Sequence, residues 1–266
     1  MLSVGGAQLF TLEYGDGDEV AVMLHGGPGA SHDYLRPGLD AVATPGRRRL
    51  FYYDQRGSGR SPLDAGVAPG TWQDHVADLD AVREHLGGAP LTLVGYSWGA
   101  LLAMLYATVH REHVNRLALI SPAPAAAHER AEAKERLVAM SNRPSVKELR
   151  ARLDTSDRKN RFALAVAGYF VEPERALGLT PFVVKQSAED AVWRSLGASY
   201  DLRPTLATLG IPAFVAHGEE DPIPVATARA TAEALGAEFV AIPRCGHVPY
   251  VEAPDALLGP LRRFLG

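Results

Sequence analysis

Short continuous apolar runs alternate along the chain with stretches whose apolar positions recur every three or four residues. Val20–Leu24, Leu50–Tyr53, Leu91–Val94, Val114–Ile120, Ile211–Ala216 and Glu238–Ile242 are runs of the first kind. They read as strands buried on both faces. Two alternating runs, Leu2–Val4 and Gln8–Tyr14, are separated by Gly5-Gly6 and predict an antiparallel hairpin at a sheet edge. Thr71-Trp-Gln-Asp74 reads as a capping box. The helix it opens carries Trp72, Val76, Leu79, Val82 and Leu86 on one face and acidic residues on the other. Ala100–Ala107 is apolar on every side, a buried helix. Further helices are expected over Val225–Leu235 and Pro254–Leu265. Strands alternating with helices in this way predict a mostly parallel, eight-stranded sheet with helices on both faces.

The alternation breaks between Pro122 and Leu202, where only helical patterns occur. Glu129–Met140 is charged and amphipathic, and Ser145-Val-Lys-Glu148 reads as a second capping box. Thr180-Pro181 predicts an N-cap followed by proline at the first helical position, with a helix running to about Leu196. The expected organisation is a core of residues 1–122 and 203–266 interrupted by a helical cap at 123–202.

Composition narrows the picture in few places. A length of 266 residues suits one large α/β domain with room for that insertion. The net charge of −4 and the lack of a basic stripe argue against a nucleic-acid partner. Arg47-Arg48-Arg49 directly precedes a strand and reads as its solvated entry. The single cysteine, Cys245, excludes an internal disulfide and suits a reducing cytoplasm. No signal-like segment and no run of 18 apolar residues occurs, so a soluble, cytoplasmic protein with no membrane partner is expected.

The chemistry is concentrated where strands end. Gly95-Tyr96-Ser97-Trp98-Gly99 lies between the strand at 91–94 and the buried helix, the context of a nucleophile elbow. A serine hydroxyl needs a base, a group that orients the base, and donors for the oxyanion that forms. His247 follows the last strand in Cys245-Gly-His247 and is the candidate base. Asp221 follows the strand at 211–216 and is the candidate acid, with Glu219 and Glu220 as neighbouring alternatives. Backbone N–H groups of Trp98, at the start of the helix, and of Gly27, in His25-Gly-Gly-Pro-Gly29, are placed to bind an oxyanion. His25 is expected to brace that loop.

Taken together, His25-Gly-Gly-Pro-Gly29, Asp54-Gln-Arg-Gly-Ser-Gly-Arg-Ser61, Ser97-Trp-Gly99, Asp221 and His247 resemble the α/β-hydrolases of the proline iminopeptidase-like branch. The resemblance spans nearly the whole core and leaves the cap aside. It implies the α/β-hydrolase fold, an acyl-enzyme mechanism with Ser97 as nucleophile, and the Gly27 and Trp98 N–H groups as oxyanion hole. No cofactor or metal is implied, and the partner is a small-molecule substrate.

Serine at the elbow argues against the dehalogenases and epoxide hydrolases of this fold, which carry aspartate there. Tyr96 stands where the branch usually has glycine, and the cap is short. Tyr96 and Glu172 are the expected substrate-binding residues, Glu172 as the acid that would meet a free amino-terminus. Asp54 and Arg56 read as a buried polar turn, Glu252 as support for a helix start, and Cys245 as a bystander. The leading reading is a serine hydrolase of a small ester, amide or aminoacyl substrate. Because no cap acid stands out by its spacing, esterase behaviour is expected ahead of N-terminal proline aminopeptidase activity. A ligand-binding receptor with slow turnover is the third reading.

Overall fold

A computed structural model of the protein describes residues Met1–Gly266. Strands β1 (Leu2–Val4) and β2 (Ala7–Leu9) form a separate antiparallel hairpin. β3 (Thr11–Tyr14) begins after a break at Phe10, whose N–H donates to Ser61 Oγ at 2.8 Å. The run expected over Gln8–Tyr14 is therefore two strands. There follow β4 (Glu19–Leu24), β5 (Arg48–Tyr53), β6 (Leu91–Tyr96), β7 (Val114–Ile120), β8 (Ala213–Gly218) and β9 (Glu238–Ile242). The main sheet has seven strands rather than eight, in the order β3-β5-β4-β6-β7-β8-β9. Only β3 runs antiparallel to its neighbour.

Successive residues of the central strands serve opposite faces, as the pleat requires. Val22, Leu24, Leu93, Leu117, Leu119 and Val215 belong to one buried cluster, which also holds helix α2 (Trp98–Val109) and the apolar face of α1 (Trp72–His85). Ala21, Met23, Val94, Ala118, Ile120, Phe214 and Ala216 belong to the other. The capping box of α1 forms as expected, with Thr71 N–H donating to Asp74 Oδ2 at 2.7 Å. One acid of its polar face is not solvated. Asp78 is buried and binds Arg56 at 2.7 Å and 2.5 Å. Arg48 is likewise not a solvated strand entry: it is buried, and donates to the Leu265 carbonyl at 2.7 Å.

The connection from β7 to β8 is helical: α3 (Glu129–Ser141), α4 (Pro144–Arg152), α5 (Arg158–Val166), α6 (Gln186–Leu196) and the single turn α7 (Arg203–Leu206). Two expected starts move. α4 begins at Pro144, with Arg143 as N-cap, because proline's fixed φ sets the first helical residue. Ser145 Oγ then accepts from Arg143 Nε at 3.0 Å instead of capping the helix. α6 begins at Gln186 rather than Thr180. Residues 181–185 stay outside any helix because the Lys185 N–H donates to Gly29 O at 2.9 Å and the Phe182 ring packs, tilted, against that of Tyr34, ring centres 4.3 Å apart. After β8 come α8 (Val225–Leu235), the turn α9 (Pro249–Glu252) and α10 (Pro254–Leu265). No helix is long and apolar enough to cross a membrane.

Packing is close at the start of α2, where a Cβ on Gly99 would fall inside van der Waals contact of the Leu24 carbonyl oxygen. Gly99→Ala should therefore lower stability by on the order of 3 kcal/mol, because backbone and not a movable side chain must give way. Gly5→Ala, at a position with open space around it, should stay within about 0.5 kcal/mol of the parent. Urea midpoints of the two variants check both.

Candidate active site

Ser97 sits between β6 and α2 with φ 53° and ψ −117°, a conformation costly for any residue with a Cβ. Its neighbours hold it there. Its N–H donates to Ile120 O at 3.0 Å, and its carbonyl accepts from Ala100 at 3.0 Å and Ala123 at 3.1 Å. A Cβ on Gly95 would come within 2.5 Å of Gly99 O, so glycine alone lets strand and helix close on the turn. The serine hydroxyl is thus presented at the carboxyl edge of the sheet, where β8 and β9 also end.

His247, in the loop after β9, places Nε2 3.0 Å from Ser97 Oγ and Nδ1 2.7 Å from Asp221 Oδ2. Of the three acids considered, Asp221 is the one brought to the imidazole; Glu219 and Glu220 are exposed. Burial pushes the Asp221 carboxyl up, but His247, His217 and the Ile223 N–H at 2.7 Å outweigh it and hold the group below the usual carboxylate range. An ionised Asp221 fixes His247 with its proton on Nδ1, leaving Nε2 free to accept from the serine.

The loop after β4 is braced by His25, as expected. His25 Nε2 accepts from the Gln55 N–H at 3.0 Å, so its Nδ1 donates to Gly26 O at 3.0 Å. Burial drives its pKa down to about 4, which keeps the ring neutral. Gln55 in turn donates to His25 O at 2.9 Å and accepts from Trp98 Nε1 at 2.7 Å. The same polar turn contains Asp54, fully buried, whose Oδ1 accepts from His32 Nδ1 at 2.7 Å. Gly27 has a positive φ of 52°, and Trp98 is the first residue of α2, so its N–H has no partner within the helix.

Two cavities meet at the serine, sharing Ser97, Tyr169 and His247 in their walls. The smaller, about 200 Å³, includes Gly27, Tyr34, Tyr96, Phe182 and Glu189. Tyr96 is buried there, its ring 5.2 Å from that of His247. The larger, about 400 Å³, is bounded by α3 and by Trp193. Glu172 lines neither. It is exposed and pairs with Arg175 at 2.8 Å, because the turn opened by Pro173 carries its side chain outward. The acid that does reach the serine's surroundings is Glu189, half-buried on α6. Burial lifts its carboxyl above the usual range, against the pull of Gln186.

Glu252 is also more than support for a helix start. Its carboxylate accepts from Gly246 N–H at 2.6 Å and from Val171 N–H at 2.7 Å, tying the loop that carries His247 to the helical connection. The His247 N–H donates to Tyr169 O at 2.7 Å across the same seam. Cys245 is buried, with its thiol pushed up by burial, and its Sγ donates to Gly246 O at 3.5 Å. Away from the site, Asp80, His110 and His113 bring one ligand atom each within 4.8 Å of the others. Asp80 Oδ1 already accepts from Arg83, Tyr106 and His113 there, so that carboxylate is committed.

A family model of the alpha/beta hydrolase fold matches residues 20–254. The chain belongs to the α/β hydrolases. The hydrolase is 28% identical over 253 residues to a proline iminopeptidase of Lactobacillus delbrueckii subsp. bulgaricus, covering 87% of this chain and 84% of that one. Among solved structures it is similar to a proline iminopeptidase-related protein from Thermus thermophilus, with TM-score 0.77, 26% identity, and coverage of 99% and 95%. An esterase from Exiguobacterium antarcticum shares the fold at TM-score 0.73 and 20% identity, over 97% and 96% of the two chains.

Glu189 carries no motif, which is why the chain pattern passes over it, and Glu252 reads there only as support for a helix start. Glu189 had one available signal: it lies one turn before Trp193 on an otherwise apolar helix face, so its carboxylate is carried inward. For Glu252, replacing one accepting oxygen by an amide NH2 would face a backbone donor with another donor. Glu252→Gln should lower kcat by roughly ten- to a hundredfold with little change in KM, since it loosens His247 rather than the substrate pocket. Steady-state kinetics on a nitrophenyl ester separate the two.

Proposed function

We propose that this hydrolase cleaves small aminoacyl amides or esters, with a free amino group on the acyl side, through an acyl-enzyme formed on Ser97. The observation that carries the reading is the aligned row Asp221–His247–Ser97, at 2.7 Å and 3.0 Å, opening on a pocket whose one acid is Glu189. Ser97 Oγ attacks the carbonyl carbon as its proton passes to His247 Nε2. Asp221 steadies the imidazolium, and the Gly27 and Trp98 N–H groups receive the oxyanion. Collapse breaks the bond to the leaving group, which takes the proton from His247. Water then repeats the sequence on the acyl-enzyme and frees the serine. The helical connection at 123–202 serves as the cap that shapes the substrate space.

Glu189 moves the preference from a plain ester to an aminoacyl substrate. Glu189 shares the lining of the smaller cavity with Tyr34, Tyr96, Val166, Leu179 and Phe182, so its carboxylate, which accepts from Gln186 at 3.1 Å, is the group there that an ammonium could pair with. The small volume suits a compact acyl group such as a prolyl ring. The similarity to proline iminopeptidases supports the same direction.

Ser97→Ala should lower turnover by on the order of a million-fold and Asp221→Asn by about four orders of magnitude. A fluorophosphonate probe should label Ser97 in the parent and nothing in Ser97→Ala; labelling elsewhere would remove the assignment. For the substrate class, prolyl p-nitroanilide should be cleaved, and N-acetylation should cost roughly tenfold to a hundredfold in kcat/KM. Glu189→Gln should lose a similar factor on the free amine and little on the acetylated compound. Equal cleavage of both, or a strong preference for nitrophenyl butyrate, would return the reading to a simple esterase.

A further inference from the structure

The larger cavity differs from the smaller one in the sign of its charge. Arg130 and Lys134 line it, one turn apart on the same face of α3. Neither takes part in an ion pair, whereas other cations in this region do: Arg136 pairs with Glu132 at 3.9 Å and Arg203 with Glu129 at 3.4 Å. The Arg130 guanidinium lies 3.9 Å above the centre of the Trp193 ring, which holds it in place while leaving its edge N–H groups free to donate. The remaining wall is largely apolar, with Ala123, Pro124, Leu137 and Ile223. Ser97 thus lines two cavities, one with Glu189 and the other with Arg130 and Lys134, and the Arg130 guanidinium over Trp193 also draws on the Glu189 carboxylate.

We propose that Arg130 and Lys134 form a binding subsite for the free carboxylate of the leaving group, so that the preferred substrates are dipeptide-sized zwitterions. This rests on the proposed cleavage of aminoacyl substrates and assigns the acyl part to the smaller cavity, which also contains Gly27 of the oxyanion loop. The leaving amino acid then occupies the larger cavity with its carboxylate toward α3. Guanidinium and carboxylate form charge-assisted hydrogen bonds, and the ammonium of Lys134, nearer solvent, adds attraction that salt screens. The ammonium and carboxylate of one dipeptide thus meet opposite charges in the two cavities that Ser97 lines. Longer peptides lack a carboxylate at that distance and lose the contact.

The test compares prolyl-glycine with prolyl-glycinamide, which differ in the terminal charge alone, beside prolyl p-nitroanilide as a leaving group without a carboxylate. In the parent protein kcat/KM for prolyl-glycine should exceed that for prolyl-glycinamide by about five- to tenfold at low salt, and the ratio should shrink as salt is added. Arg130→Gln combined with Lys134→Gln should bring the ratio close to one, and Arg130→Lys should retain part of it. Lys134→Gln alone, at an exposed position that folding does not depend on, should already reduce the ratio. A parent ratio of one or below, with the nitroanilide still cleaved, overturns the carboxylate subsite and leaves the aminoacyl reading standing. A ratio that survives the double substitution overturns the assignment to these residues. Failure to cleave any of the three prolyl compounds removes both readings.

Discussion

The contact on which everything else depends is the approach of α2 to the end of β4. Gly99 lies so close to the Leu24 carbonyl that no side chain fits between them. That closeness forces the chain to turn within one residue, and the residue in the turn is Ser97, at a positive φ. A less tight join would relax the backbone and withdraw the hydroxyl from the line set by His247 and Asp221. The conformational strain at Ser97, of order 1–3 kcal/mol, is offset by the fully buried helix behind it, whose residues Trp98–Ala107 are all in the core.

Polar groups around this turn are held in fixed states by burial. His25 stays neutral because its desolvation outweighs the nearby carboxylates, and in that state it can accept from Gln55 while donating to Gly26. Asp221 stays ionised because two imidazoles and a backbone N–H face it. Both groups are shifted downward, His25 by burial and Asp221 against it, so that one is neutral and the other charged, each in the state its partners can satisfy.

Much of the core was legible in the sequence because its signals are local. A strand buried on both faces is an apolar run, and the α1 cap is a four-residue pattern at Thr71–Asp74. The elbow glycines also stand within a few residues of the serine. What escaped is decided by partners distant in the chain. The break at Phe10 comes from Ser61, and the delayed start of α6 comes from Gly29 and Tyr34. Glu172 and Glu189 are equally plain carboxylates in the sequence. Only packing turns one outward to Arg175 and the other toward the serine. Arg48 and Asp78 follow the same rule, since each polar residue is drawn inside by a partner no periodicity reveals.

The helical connection is fastened to the edge of the sheet that carries Ser97 at two seams: Lys185 to Gly29 in the loop after β4, and Val171 and Tyr169 to Glu252 and His247 after β9. The Lys185–Gly29 and His247–Tyr169 contacts are backbone to backbone, whereas the Val171 contact depends on the Glu252 carboxylate. A third tie comes from α3, whose Arg136 donates to the Asp221 carbonyl at 3.2 Å. A displacement of α3 would therefore be felt at Asp221, so the wall of the larger cavity is mechanically coupled to the row of aligned side chains.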